Sequence, residues 1–166
     1  LLLAIALFAS MVSLFAQDEA ELAEFQSYFS GDYAGSLEET LQETTLRLEQ
    51  AREISDAKLE ADAHRILGLI HLNRSHMYEA AMDHLMGALA IEDSLYLDDQ
   101  KFLTFIAIAR VFEVVGDPDK SAQFLEQALA LNRDNRNINS IALAFNSLGK
   151  VNASRWRPAS AAGPCS

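Results

Sequence analysis

A nine-residue segment of this chain is repeated forty residues downstream. Residues 84 to 92 read HLMGALAIE and residues 124 to 132 read FLEQALALN, and the two copies share Leu, Ala, Leu and Ala at matching positions. Self-similarity at a fixed spacing is typical of one supersecondary unit stacked on copies of itself. The repeat therefore predicts an array of similar units.

Apolar residues recur at three- and four-residue spacing along the chain, which predicts helices. We predict helices over 19–29, 36–54, 59–73, 77–92, 101–115, 120–131 and 141–151. Ser36, with Glu39 three residues later, forms the pattern of a capping box. Pro118 falls at a helix start, where its missing N–H is tolerated. Since no alternating strand pattern intervenes, the predicted fold class is all-α.

Small residues mark the same register in successive units. Gly68, Ala109 and Gly149 follow one another at spacings of 41 and 40 residues, each on the first helix of a predicted helix pair. Small side chains at such positions let antiparallel helices approach closely, while leucines fill the space between them. The matching small residues on the second helices are Ala81, Ala88, Ser121 and Ala128.

This pattern resembles the tetratricopeptide repeat. RILGLIHL, AIARVFEVVGD and FNSLGKV are similar to its first helix, and YEAAMDHLMGALAI and KSAQFLEQALAL are similar to its second. The resemblance covers about residues 31 to 153, with a period longer than the standard repeat of about 34 residues. Glu43 and Arg47 stand where small residues belong, so the first unit is degenerate or a cap. The resemblance implies an antiparallel helix-pair solenoid, with about three helix pairs and a terminal helix.

Members of this family bind peptides or partner proteins in a concave groove lined by their first helices. The resemblance implies that the groove residues here include Arg65, Leu69, Leu72, Asn73, Ile106, Arg110, Glu113, Asn146 and Lys150. The three basic residues among them would form a stripe suited to an acidic or carboxylate-bearing ligand. Ordinary solvated charge is the interpretation that we favour for them, and ligand capture is the alternative.

All four histidines, His64, His71, His76 and His84, fall within 21 residues. The first two are seven residues apart on one helix face, which is loosely compatible with two metal ligands. By the family pattern, however, they occupy positions of large packing side chains. Since no acidic or cysteine ligand accompanies them at metal spacing, we predict no metal site and no cofactor.

The first sixteen residues, LLLAIALFASMVSLFA, carry no charge and precede the polar segment QDEAELAE. This pattern predicts a signal peptide cleaved after Ala16, and hence a periplasmic or secreted protein. The alternative is an uncleaved membrane anchor, although the run is shorter than the ~20 residues that a span requires. We assign 17–153 to the repeat domain and 154–166 to a disordered tail. Because the chain begins without Met, we expect a fragment, and a downstream span is the other possible membrane contact.

The formal net charge is −11, and residues 17 to 60 hold twelve acidic side chains against three basic ones. Such a surface repels phosphate backbones, which argues against nucleic-acid binding. The chain contains no nucleophile elbow, phosphate-binding glycine loop or zinc helix motif, so we predict a scaffold and not an enzyme. Two alternatives stay open: the extracytoplasmic sensor of a truncated histidine kinase or helix-turn-helix regulator, and the accessory domain of an enzyme.

Overall fold

A computed structural model describes residues 20, 22–31, 35–131 and 138–155. The described part contains no strand, so the all-α prediction is confirmed. A five-residue π-helical segment, His71–Ser75, follows directly on α3. The α-helices are α1 over 22–30, α2 Leu37–Glu53, α3 Ala57–Ile70, α4 Tyr78–Leu95, α5 Asp98–Val115, α6 Pro118–Leu131 and α7 Ile138–Arg155.

Local capping sets the starts of three helices. The Ser36 hydroxyl accepts the backbone N–H of Glu39, and the Glu39 carboxylate accepts the backbone N–H of Ser36. This is the predicted capping box. Asp56 precedes α3 and Asp117 precedes α6, and each accepts the backbone N–H three residues later. Pro118 begins α6, as its fixed φ and missing N–H predict.

Two helices extend beyond their predicted ends. Helix α4 continues to Leu95 and ends at Tyr96, whose φ of 56° is left-handed, and α7 continues to Arg155. Apolar periodicity does not report the last polar turn of a helix, because that turn buries little apolar surface. Residues 154 and 155, which we expected in a tail, belong to α7, whereas 1–16 and 156–166 lie outside the described residues.

Helices α2 to α7 each pack against their neighbour in sequence, while α3 also contacts α5 and α5 contacts α7. A large apolar cluster draws side chains from α1 and from α3 to α7. A second, smaller cluster joins α2 and α3 through Leu48, Ala63 and Leu67. Helix α5 therefore contacts both α3 and α7.

Two of the three predicted small positions are packed as expected. A Cβ built on Gly68 would lie 2.6 Å from Leu85 Cγ and 3.1 Å from the Ala81 carbonyl oxygen, so α3 and α4 approach closely there. Ala109 is also buried, in α5. Gly149 differs, because a Cβ built on it meets no described atom within 4 Å.

Candidate functional site

Four of the nine predicted groove residues are buried. Leu69, Leu72 and Ile106 are at most 2% exposed, and Arg65 is 3% exposed. Leu69, Leu72 and Ile106 belong to an apolar cluster that also contains side chains of α1. These four side chains therefore do not line an open groove. A period of 3.6 residues identifies the face of a helix, but not whether another helix covers that face.

Arg65 is part of a buried polar network that joins α3, α4 and α5. Its guanidinium donates to Glu92 Oε1 at 2.8 Å and to the carboxylate of Asp62. The Thr104 hydroxyl donates to the same Glu92 oxygen, also at 2.8 Å. The positive charge of Arg65 is therefore compensated inside the protein, and it does not contribute to a basic stripe on the surface.

Glu92 accepts hydrogen bonds from both Arg65 and Thr104 and is 0% exposed. Burial raises the pKa of Glu92, and the lowering effects of Arg65 and of the Thr104 hydrogen bond only partly oppose this. Its Oε2 atom has no hydrogen-bond partner in the described part of the chain. A buried carboxylate of this kind persists only beside a compensating cation, so Glu92 and Arg65 depend on each other.

Asn73, another predicted groove residue, caps α1. Its side-chain amide donates to the carbonyl oxygens of Tyr28 at 2.7 Å and Phe29 at 3.2 Å, in the last turn of that helix. The last carbonyls of a helix have no partner within the helix and need an external donor. The Asn73 amide supplies one, so it fixes α1 against the π-helical segment that follows α3.

The remaining predicted groove residues are accessible and lie on two helices that contact each other. Arg110 and Glu113 are half-buried on α5 and form an ion pair at 2.7 Å. Asn146 and Lys150 are exposed on α7. The accessible remainder of the predicted groove thus consists of four residues on α5 and α7, and we call these residues the α5–α7 surface. Its basic groups are Arg110 and Lys150.

Three of the four histidines meet between α3, the π-helical segment and α4, and we call them the histidine cluster: His64, His71 and His84. The ring centroids of His64 and His84 lie 5.2 Å apart. The ring of His71 stacks on that of His84 at 5.5 Å, with an interplanar angle of 10°. His64 and His71 were predicted to be packing residues, and both are half-buried here. Sequence reasoning missed the approach of His84, because that depends on how α4 lies on α3.

Hydrogen bonds connect the histidine cluster to α2. Arg52 lies with its guanidinium nitrogen 3.2 Å from His64 Nε2, and His64 Nδ1 lies 3.0 Å from His84 Nδ1. Gly87 on α4 makes room for this arrangement, because a Cβ there would lie 3.3 Å from His64 Nδ1. Across the described ranges, no group of three or more His, Cys, Asp or Glu side chains is placed to hold a metal ion.

Burial lowers the pKa of all three imidazoles. For His64 the nearby charge of Arg52 adds to this effect, and for His71 burial is the cause. For His84, burial and then the neighbouring imidazoles lower the pKa to about 4. All three rings are therefore neutral at pH 7.

No protein-family model matches this sequence, and no curated protein is detectably similar to it. In the portion that the structure describes, no helix is both long enough and apolar enough to cross a membrane.

Proposed function

We propose that this chain is an exported protein-interaction scaffold of the tetratricopeptide-repeat type, which binds a peptide or partner protein along its first helices and catalyses no reaction. The observation that supports this proposal is that α5 contacts both α3 and α7. These helices carry the small residues that recur at spacings of 41 and 40 residues. In stacked repeats, equivalent helices of successive units line one face, and that face binds the partner.

The α5–α7 surface is the part of this face where we place the ligand. It presents the basic groups of Arg110 and Lys150 together with the polar groups of Glu113 and Asn146. Phe145, next in sequence to Asn146 on α7, is 57% exposed and offers an apolar contact. Guanidinium and ammonium groups bind carboxylates through charge-assisted hydrogen bonds. The surface therefore suits a peptide with acidic side chains or a free C-terminal carboxylate.

Peptide display on the immobilised full chain would test this ligand class. We expect the selected peptides to be rich in Asp and Glu or to require a free C-terminus. Arg110→Glu and Lys150→Glu should each weaken their binding roughly tenfold or more, because a charge-assisted hydrogen bond contributes ~1.5 to 3 kcal/mol. Dissociation constants from fluorescence polarisation would measure the change.

Lys120→Glu is the matched control, since it makes the same charge reversal on α6, outside the predicted first helices. It should leave the affinity within about twofold, because an exposed charge away from the contact acts only through screened long-range attraction. If all three variants weakened binding equally, the selected peptides would be responding to net charge, and the proposed surface would be wrong.

The proposed export of this protein leads to a separate prediction. When the full-length parent protein is produced in a Gram-negative host, mass spectrometry should find a mature form that begins at Gln17 in the periplasmic fraction. Leu7→Arg, which places a charge in the apolar run, should leave the precursor unprocessed in the cytoplasm. Retention of residues 1 to 16 on exported protein would show an anchor in place of a cleaved signal. A membrane span and an output domain encoded downstream would favour the sensor alternative.

A further inference from the structure

The contacts of the histidine cluster determine where its protons are. A guanidinium group has only hydrogen-bond donors, so the ring nitrogen that it contacts must be an acceptor. Arg52 contacts Nε2 of His64 at 3.2 Å, and this nitrogen is therefore unprotonated. A neutral imidazole carries one proton, which places the proton of His64 on Nδ1.

The same reasoning extends to α4. Nδ1 of His64 lies 3.0 Å from Nδ1 of His84, and since the first is a donor, the second must be an acceptor. The proton of a neutral His84 is therefore on Nε2. A directed chain of hydrogen bonds thus runs from Arg52 on α2 through His64 on α3 to His84 on α4, and it exists only while both imidazoles are neutral.

We propose that the histidine cluster is an acid-sensitive latch, in which protonation of His64 or His84 breaks the hydrogen bonds that join α2, α3 and α4 and loosens the packing of α2. A proton added to His64 would sit on Nε2, directly opposite the N–H of Arg52. A proton added to His84 would sit on Nδ1, directly opposite the N–H of His64. Each protonation therefore replaces a hydrogen bond by two opposed donors and adds a positive charge beside Arg52.

The charges around the cluster have opposing effects on the protonation of its imidazoles. Arg52 on α2 and His71 in the π-helical segment disfavour added positive charge, whereas Glu60 on α3 and Asp83 on α4 favour it. Glu60 already forms an ion pair with Arg52 at 2.8 Å, so its negative charge is largely balanced by that guanidinium. Burial of the rings also disfavours their protonation, and this effect outweighs that of the two acids. The neutral imidazoles are therefore the stable forms.

The sign of the pH dependence follows from these lowered pKa values. The folded state binds protons on these rings more weakly than the unfolded state does. Their contribution to stability is therefore complete above the ordinary histidine pKa of 6.5. It is lost as the pH falls from 6.5 toward the folded pKa, which for His84 is about 4. The latch would accordingly open in mildly acidic surroundings.

Nitrogen-15 NMR of the histidine side chains in the full chain tests the proton positions directly. At pH 7.5 we expect the Nδ1–H form of His64 and the Nε2–H form of His84, and the His84 ring should titrate with a midpoint near 4. An Nε2–H form of His64, or a His84 midpoint at or above 6.5, would overturn the proposal. This measurement uses the unmodified protein and does not depend on the stability of any variant.

Urea denaturation at pH 7.5 and pH 5.0 measures the consequence for the fold. A fall in one imidazole pKa from 6.5 to about 4 changes the folding equilibrium constant by roughly 30-fold at pH 5. Because solvent screens the half-buried ring, we expect roughly tenfold. His84→Asn should remove most of this change, since its side-chain oxygen replaces the Nδ1 acceptor and does not titrate.

His76→Asn is the control, because His76 is exposed, lies outside the cluster and has a φ of 54° that Asn tolerates. It should keep the full pH dependence of the parent. Amide exchange, corrected for its intrinsic pH dependence, should rise in 37–53 at pH 5 more than in 118–131. Equal pH dependence in the parent and His84→Asn, or equal exchange in the two segments, would contradict the latch.

Discussion

Replacing Glu92 with alanine is expected to lower the free energy of unfolding by about 3 to 5 kcal/mol. The substitution removes the carboxylate that accepts hydrogen bonds from Arg65 and Thr104, both of which are buried. The guanidinium would then lose its fully buried acid partner and keep its ion pair with the partly buried Asp62. An incompletely compensated buried charge costs far more than the lost packing of one side chain.

Urea denaturation at pH 7 would measure the effect of Glu92→Ala, with Glu24→Ala as the control. Glu24 pairs with Arg47 at 2.8 Å, but each side chain is 40% exposed, so we expect a loss of about 0 to 1 kcal/mol. Glu92→Gln should fall between the two, because it keeps an oxygen acceptor but loses the charge. A loss for Glu92→Ala no greater than that for Glu24→Ala would show that the network does not stabilise the three-helix packing.

Replacing Gly68 with alanine is expected to destabilise the protein by up to about 2 kcal/mol, because overpacking costs about 1 to 3 kcal/mol and the helix preference of alanine offsets about 1 kcal/mol of this. The new Cβ would lie 2.6 Å from Leu85 Cγ, and Leu85 is itself fully buried, so it cannot move into solvent. The backbone oxygen of Ala81, 3.1 Å from the same point, closes the other side. This steric cost exceeds the ~1 kcal/mol that alanine gains over glycine in a helix interior.

Gly149→Ala provides the matched control, because Gly149 occupies the matching position in the predicted repeat pattern but a Cβ built on it meets no described atom within 4 Å. Here the helix preference of alanine acts alone, and we expect stabilisation by up to about 1 kcal/mol. The same substitution should therefore change the free energy of unfolding in opposite directions at two positions that the predicted repeat makes equivalent. Stabilisation at Gly68, measured by the same denaturation curves, would show that α3 and α4 do not approach as closely as described.

Much of the helical structure could be predicted from the sequence, because it depends on residues only a few positions apart. The capping box needs Ser36 and Glu39, and Pro118 needs only its own ring to favour a helix start. The close approach at Gly68 was also predictable, since only a small residue permits it and size is a property of the residue itself.

The candidate site could be predicted only in part, because burial depends on what covers a helix face. Arg65 was expected in an open groove, but Glu92, 27 residues later, and Thr104 enclose its charge. His64 and His84 lie 20 residues apart and meet only because α3 packs on α4. The sequence by itself determined the helices and the small residues at which they approach, since these follow from local hydrogen bonding and side-chain size. The tertiary structure alone decided which charges are buried and which imidazoles are hydrogen-bonded to each other, because these depend on distances between residues far apart in the chain.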